Sequence, residues 1–236
     1  GRWEDVLRVT DRITETEPDN WEGWYDRGIA FLELDKATDA LESFNRALNI
    51  EENDLKTLDG KKKALMQLGR YDEVISVCDR ILAKDDENVD AYVDRGKSYE
   101  LKGELEKAVD DYKEALSMDP SRPEVWNDKG LCEYKLGKYE ESVESFDKAI
   151  GLDSDDKRFW NNKGHALSKL EEYEDAIESY SKALNIDPED EKIWYSKGLT
   201  QEGLGRYEEA IVSYDKALEI NEENSNVWYS KGIALR

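Results

Sequence analysis

The 236-residue chain has a formal net charge of −23, is 38% hydrophobic and 39% charged, and holds two cysteines and a single histidine. Such acidity disfavours nucleic acid, which needs a basic surface to release counterions, and no run of about 18 apolar residues is available to span a membrane. Two cysteines are too few for a disulfide framework, so both are expected buried and reduced, in a cytoplasmic setting.

Order along the chain shows as a beat of 34 residues: Gly28, Lys62, Gly96, Gly130, Gly164, Gly198 and Gly232. With slot 1 of a repeat placed at Trp21, these residues fill slot 8. Residues 1–20 start at slot 15, where Gly1-Arg2-Trp3 aligns with Gly69-Arg70-Tyr71 and Gly205-Arg206-Tyr207, and are expected to form only the second helix of a hairpin. Full units then occupy 21–54, 55–88, 89–122, 123–156, 157–190 and 191–224, and 225–236 supply a first helix alone.

In each unit the apolar residues follow a helical period twice, interrupted near slot 15 by Gly69, Gly103, Gly137 or Gly205, which can end a helix in the left-handed conformation. The pattern predicts helix A, a tight turn and helix B; in the last full unit these fall at Lys192–Leu204 and Tyr207–Ile220. Slot 24 is large in most units (Phe44, Tyr112, Phe146, Tyr180, Tyr214) and slot 27 is small, and the glycine and alanine slots are expected to receive the bulky aromatics of adjacent stacked helices. Unit 55–88 diverges most, with Leu58, Lys62, Val74, Cys78 and Ile81 at signature slots, and a loosened or shifted helix pair is expected there. Both ends cut through a repeat. The chain therefore reads as a piece of a longer array, whose unpaired end helices are expected to be able to dock head to tail between molecules.

Trp194, Gly198, Tyr207, Ala210, Tyr214 and Ala217, with the turn prolines Pro18, Pro120 and Pro188, resemble the tetratricopeptide repeat of prokaryotic or archaeal arrays. The resemblance implies an all-α fold, a right-handed superhelical α-solenoid of antiparallel helix pairs. It also implies that slots 2, 5, 9, 12 and 13 of helix A line a concave groove. On that basis the candidate contacts are Tyr25, Ile29, Asp59, Lys63, Asp90, Val93 and Lys97, then Asn127, Leu131, Tyr134, Arg158, Asn161, His165, Lys192, Tyr195, Leu199 and Tyr229. Slot 7 departs from the family in being basic throughout, from Arg27 to Lys231. Its long stems are expected to cover the apolar seam while the charge reaches water or a carboxylate.

The acidity concentrates in two bands, the linkers before each helix A and the first turn of each helix B, where carboxylates cap N–H groups and complement the helix dipole. The implied groove is left nearly balanced in charge. No nucleophile and base converge and no phosphate loop follows a strand, so no enzyme and no cofactor is expected. His165 stands without metal-ligating neighbours in sequence and reads as an ordinary surface residue; the linkers Asp153-Ser154-Asp155-Asp156 and Asp187-Pro188-Glu189-Asp190 lack the glycine and closing glutamate of a calcium loop. The lysine and asparagine with which chaperone-binding relatives clamp a C-terminal carboxylate are missing. What remains is a scaffold that binds a protein or peptide in its groove, Asn127 and Asn161 being placed to bond a peptide backbone. The alternative is a regulatory or substrate-recruiting arm of a larger enzyme, and no nucleic-acid or membrane partner is expected.

Overall fold

Residues 1–236 are all described in the computed structural model, and their only regular elements are fourteen helices. Two compact units divide them. The first, Gly1–Met118, holds α1 (Arg2–Thr16), α2 (Trp21–Glu33), α3 (Ala37–Ile50), α4 (Leu55–Gln67), α5 (Tyr71–Leu82), α6 (Val89–Lys102) and α7 (Leu105–Met118). The second, Asp119–Arg236, holds α8 (Pro123–Lys135), α9 (Tyr139–Leu152), α10 (Lys157–Lys169), α11 (Tyr173–Ile186), α12 (Glu191–Gly203), α13 (Tyr207–Ile220) and α14 (Ser225–Ala234). Within each unit every helix packs on its sequence neighbours, as antiparallel pairs joined by short turns do. No helix is long and apolar enough to cross a membrane.

Helix A begins where the sequence offers a short polar side chain. Asn20, Asp54, Asn88, Asp156, Asp190 and Asn224 each accept a hydrogen bond from a backbone N–H two or three residues on. α8 instead starts with Pro123, whose missing N–H costs nothing at that position. The acidic linkers thus cap only in part, since three of these caps are asparagine. Helix B shows the other difference: the residues before α3, α5, α9, α11 and α13 make no side-chain cap. Pairs such as Glu140 with Glu141, or Glu208 with Glu209, act there on the helix dipole from inside the first turn.

Four slot-15 glycines have positive φ, from 67° at Gly69 to 79° at Gly103. The two units without glycine there bend the same way, through Asp35 at φ 57° and Glu171 at φ 62°. A side chain held left-handed costs about 1 kcal/mol. Asp35→Gly and Glu171→Gly should therefore each raise the denaturation midpoint by the equivalent of about 0.5 kcal/mol, the added flexibility of the unfolded glycine offsetting part of the gain.

The array tryptophans are clamps and not core anchors, four of them half-buried and Trp228 exposed. Trp24, Trp126, Trp160, Trp194 and Trp228 each donate the indole N–H to the carbonyl six residues earlier, that of Pro18, Pro120, Ser154, Pro188 and Glu222, at 2.8–3.0 Å. Each ring thereby ties the first turn of a helix A to the linker before it. The core consists of smaller slots and the slot-24 rings: Phe44, Tyr112, Phe146, Tyr180 and Tyr214 are buried, against alanines such as Ala40, Ala115, Ala183 and Ala217.

Those rings explain the glycine beat. A Cβ built on Gly28, Gly96, Gly130, Gly164 or Gly198 would stand 2.5–2.9 Å from the ring sixteen residues on. In unit 55–88 the exchange is reversed. Cys78 is small, Lys62 fills the vacated space, and its ammonium, with only 2% of the side chain exposed, meets Asp59 at 2.9 Å and Asp94 at 2.7 Å. Gly60, two residues before, yields to Phe44 from the preceding helix pair. α4 and α5 accordingly pack less closely than the other hairpins, as the divergent slots suggest.

Candidate functional site

Most slot-7 cations are spent on the fold. Arg27, Arg95, Lys129, Lys197 and Lys231 each lie over the aromatic ring at slot 4 of their own helix, 5.2–5.5 Å from its centroid. Where the preceding helix B carries aspartate sixteen residues earlier, an ion pair is added: Arg27 with Asp11 at 2.7 Å, Arg95 with Asp79 at 2.5 Å, Lys163 with Asp147 at 2.6 Å, and Lys231 with Asp215. Arg95 also holds Asp111, and these bonds push its guanidinium pKa up against the effect of burial. Lys129 turns inward to Glu133 at 2.7 Å and to the Ser145 hydroxyl at 2.8 Å. Lys61 and Lys197 lack such an aspartate, and burial lowers their pKa.

Groove candidates in the first unit are largely committed. Tyr25 leans on Phe44, with ring centroids 6.1 Å apart, and Ile29 packs beside it on the core. Burial first, then Asp26, raises the Tyr25 hydroxyl pKa. Asp59 accepts from Lys62 and Lys63, and those bonds hold its carboxyl below the usual range in spite of burial. Lys97 pairs with Glu100 at 2.8 Å, Val93 is half-buried, and only Lys63 and Asp90 stand out to solvent.

The second unit brings four of its candidates together. Asn127 and Leu131 from α8 and Arg158 and Asn161 from α10 line a recess of about 280 Å³, completed by Asp128, Lys157, Asn162, Asp190 and Ile193. Asn162 donates to the Asn127 carbonyl oxygen at 2.8 Å. Lys157 is neutralised by Asp187 and Asp190 at 2.5 and 2.6 Å, and Arg158 by the capping Asp156 at 2.5 Å. The Asn161 Oδ1, out of contact with solvent, accepts no hydrogen bond. A buried acceptor left open costs about 1–3 kcal/mol.

Beyond the recess, His165 is not the free surface residue the sequence suggests. Its Nδ1 lies 3.0 Å from the Tyr180 hydroxyl and its ring meets that ring edge-on at 5.4 Å; burial, then Lys169, lowers its pKa, so it is neutral at pH 7. Burial also pushes the Tyr180 phenol up to about 12. Tyr134 rests against Tyr139, and Tyr195 sits 6.0 Å from Tyr214 with its hydroxyl 3.3 Å from Ser230. Lys192, Leu199 and Tyr229 are exposed, the last to 73%. Asn162, Asp128, Lys157 and Asp190 escaped the sequence reading. Slot 6 does carry a signal, being polar in Asp26, Asp94, Asp128, Asn162, Ser196 and Ser230.

Sequence patterns of the tetratricopeptide repeat match residues 1–54, 63–123, 103–157, 158–190 and 191–224. The chain is a tetratricopeptide-repeat protein. Among solved structures it is similar to the C-terminal part of a tetratricopeptide repeat-containing protein from Cytophaga hutchinsonii, with 16% identity over 97% of this chain and 94% of that one and a TM-score of 0.81. It is similar also to YrrB, described as a TPR protein with an unusual peptide-binding site, with 20% identity, 81% and 99% of the two chains covered and a TM-score of 0.73. MamA shows 24% identity over 73% and 94% of the chains, with a TM-score of 0.69. No curated protein matches in sequence. At these identities the tetratricopeptide likeness to solved structures concerns the fold.

Proposed function

We propose that this tetratricopeptide array is an interaction scaffold that holds an extended peptide segment of a partner protein against α8, α10 and α12. The observation that supports it is the recess lined by Asn127, Asn161 and Asn162: its cations Lys157 and Arg158 are internally paired, which suits an uncharged peptide backbone better than a carboxylate. Asn127 and Asn161 lie one repeat apart on successive first helices, so together they can follow a peptide backbone, Asn127 by exchanging its bond from Asn162 for one to the peptide. Tyr195, Leu199 and Tyr229 then offer apolar surface for its side chains. YrrB, whose description names a peptide-binding site, supports the same reading. We take the limits 21–54, 55–88, 89–122, 123–156, 157–190 and 191–224 as the repeats of the scaffold. Cys78 and Cys132, both buried and neither in a disulfide, fit a reducing compartment such as the cytoplasm.

The test is a peptide-array screen followed by titration of the best binder. Asn127→Ala with Asn161→Ala should weaken it about tenfold, two lost hydrogen bonds of about 0.5–1.5 kcal/mol each, while Lys63→Ala in the first unit should leave it unchanged. Equal affinity of the double variant and the parent would remove the reading.

A further inference from the structure

Two stretches of this chain, sixty-eight residues apart, are near copies. Trp3-Glu4-Asp5-Val6-Leu7-Arg8-Val9-Thr10-Asp11-Arg12-Ile13 in α1 matches Tyr71-Asp72-Glu73-Val74-Ile75-Ser76-Val77-Cys78-Asp79-Arg80-Ile81 in α5. The helices that follow match as well, Asp26-Arg27 in α2 standing where Asp94-Arg95 stand in α6. Arg27 pairs with Asp11 as Arg95 pairs with Asp79.

One element differs. α5 and α6 are covered by α4, whose Lys62 lies in the space left by the small Cys78 and reaches Asp94. On α1 the equivalent space is an open pocket of about 730 Å³, bordered by Val6, Val9, Thr10, Ile13 and Asp26. Val9 is 59% exposed there, whereas its counterpart Val77 is 3% exposed. Asp26, the counterpart of Asp94, makes no hydrogen bond or ion pair, and partial burial and Glu22 raise its carboxyl pKa.

We propose that this face of α1, with Asp26 of α2, docks an amphipathic helix that carries a lysine, seated as Lys62 of α4 is seated between α5 and α6. Three features specify the occupant. Val6, Val9 and Ile13 ask for an apolar stripe; Thr10, small like Cys78, leaves room for a long side chain in place of a glycine; and Asp26 supplies the charge that side chain must meet, Asp5 on the same rim being already paired with Arg8. A second copy of this chain fits poorly through α14, its exposed first-type helix. That helix presents Gly232 at the decisive slot, with open space where its Cβ would be, a gap suited to an aromatic ring and not to Thr10. Head-to-tail pairing of copies would leave both the gap and Asp26 unfilled.

The first experiment titrates a fluorescent peptide of residues 54–69, the α4 sequence with its flanking turns, against the intact chain. The peptide should bind saturably, and its Lys62→Gly version about tenfold or more weakly, as should the protein variant Asp26→Asn, because each leaves a desolvated charge or a hole at the contact. The two changes together should cost little more than either alone. Because a short helix is marginal in water, the second experiment fuses residues 54–68 ahead of Gly1, so that the natural sequence Leu68-Gly69-Arg70-Tyr71 is imitated by Leu68-Gly1-Arg2-Trp3. The thermal midpoint should rise by about 3–5 °C, and most of that gain should vanish with Asp26→Asn or with Lys62→Gly in the fused helix. Failure of both peptide and fusion, gains indifferent to the lysine and to Asp26, or light scattering that shows the parent chain dimerising through α1 would each overturn the proposal.

Discussion

Gly198→Ala should destabilise the second unit by about 1–3 kcal/mol, the usual cost of forcing one carbon into a packed core. Gly232→Ala, a change of the same kind at the same slot, should stabilise it by up to about 1 kcal/mol. At Gly198 a Cβ would fall 2.5 Å from Cε1 and 2.7 Å from Cδ1 of Tyr214. That ring cannot retreat: it is fully buried and its hydroxyl is held by Glu202 at 2.7 Å. At Gly232 nothing lies within 4 Å, and the helix gains alanine's better propensity without a clash. Because each repeat touches chiefly its neighbours, the loss should concentrate in α12–α14. Amide hydrogen exchange resolves it there, and unchanged protection in Gly198→Ala would mean that ring packing does not dictate the glycine.

The glycine beat is legible in the sequence because it records a pairwise volume rule, one slot small where another is large. The same rule makes unit 55–88 readable after the fact, since Lys62 and Cys78 are that rule inverted. A sequence shows that a lysine replaces a glycine; it does not show that Asp94, thirty-two residues on, turns to receive it. The positive φ at Asp35 and Glu171 was hidden for a related reason, because the closing bond of the turn is made by backbone, and backbone makes it with or without glycine.

The candidate site was legible in part. Slot arithmetic placed Asn127, Leu131, Arg158 and Asn161 on facing helices, and the recess contains all four. It could not show that Arg158 folds back on its own cap, that Asp59 is held by two lysines, or that His165 rests on Tyr180, because each is a choice of rotamer among several acceptors within reach. Nor does a list of groove slots include slot 6, which contributes Asp128 and Asn162 from the edge of the same helix face.

Asp94→Ala should cost up to about 3–5 kcal/mol, since removing one partner strands a buried charge, with the surviving Asp59 contact trimming the loss toward the lower figure. Lys62→Met should cost far less, or stabilise, because it fills the same volume and strands only two carboxylates that already reach water. The pH profile separates charge from packing. Burial alone would depress the Lys62 ammonium, but Asp94 and Asp59 outweigh it and raise its pKa above the ordinary 10.5. Its contribution is therefore complete below pH 10.5 and is lost as pH climbs through the raised value. Asp59 is shifted down from 3.8, so its share holds above that pH and fades as pH falls through the lowered value. Lys62→Met should abolish the alkaline loss and reduce the acid one, part of which stays because Lys63 still holds Asp59. Cys78 offers the readout: buried, with its thiol pushed up to about 12, it should react with a thiol reagent only when α4 and α5 part. Their sparser packing makes this the first hairpin to open. Labelling of Cys78 near neutral pH should be fastest in Asp94→Ala and far slower in both the parent and Lys62→Met. A parent rate that does not depend on the residue at 94 would show that the ion pair does not hold this hairpin closed.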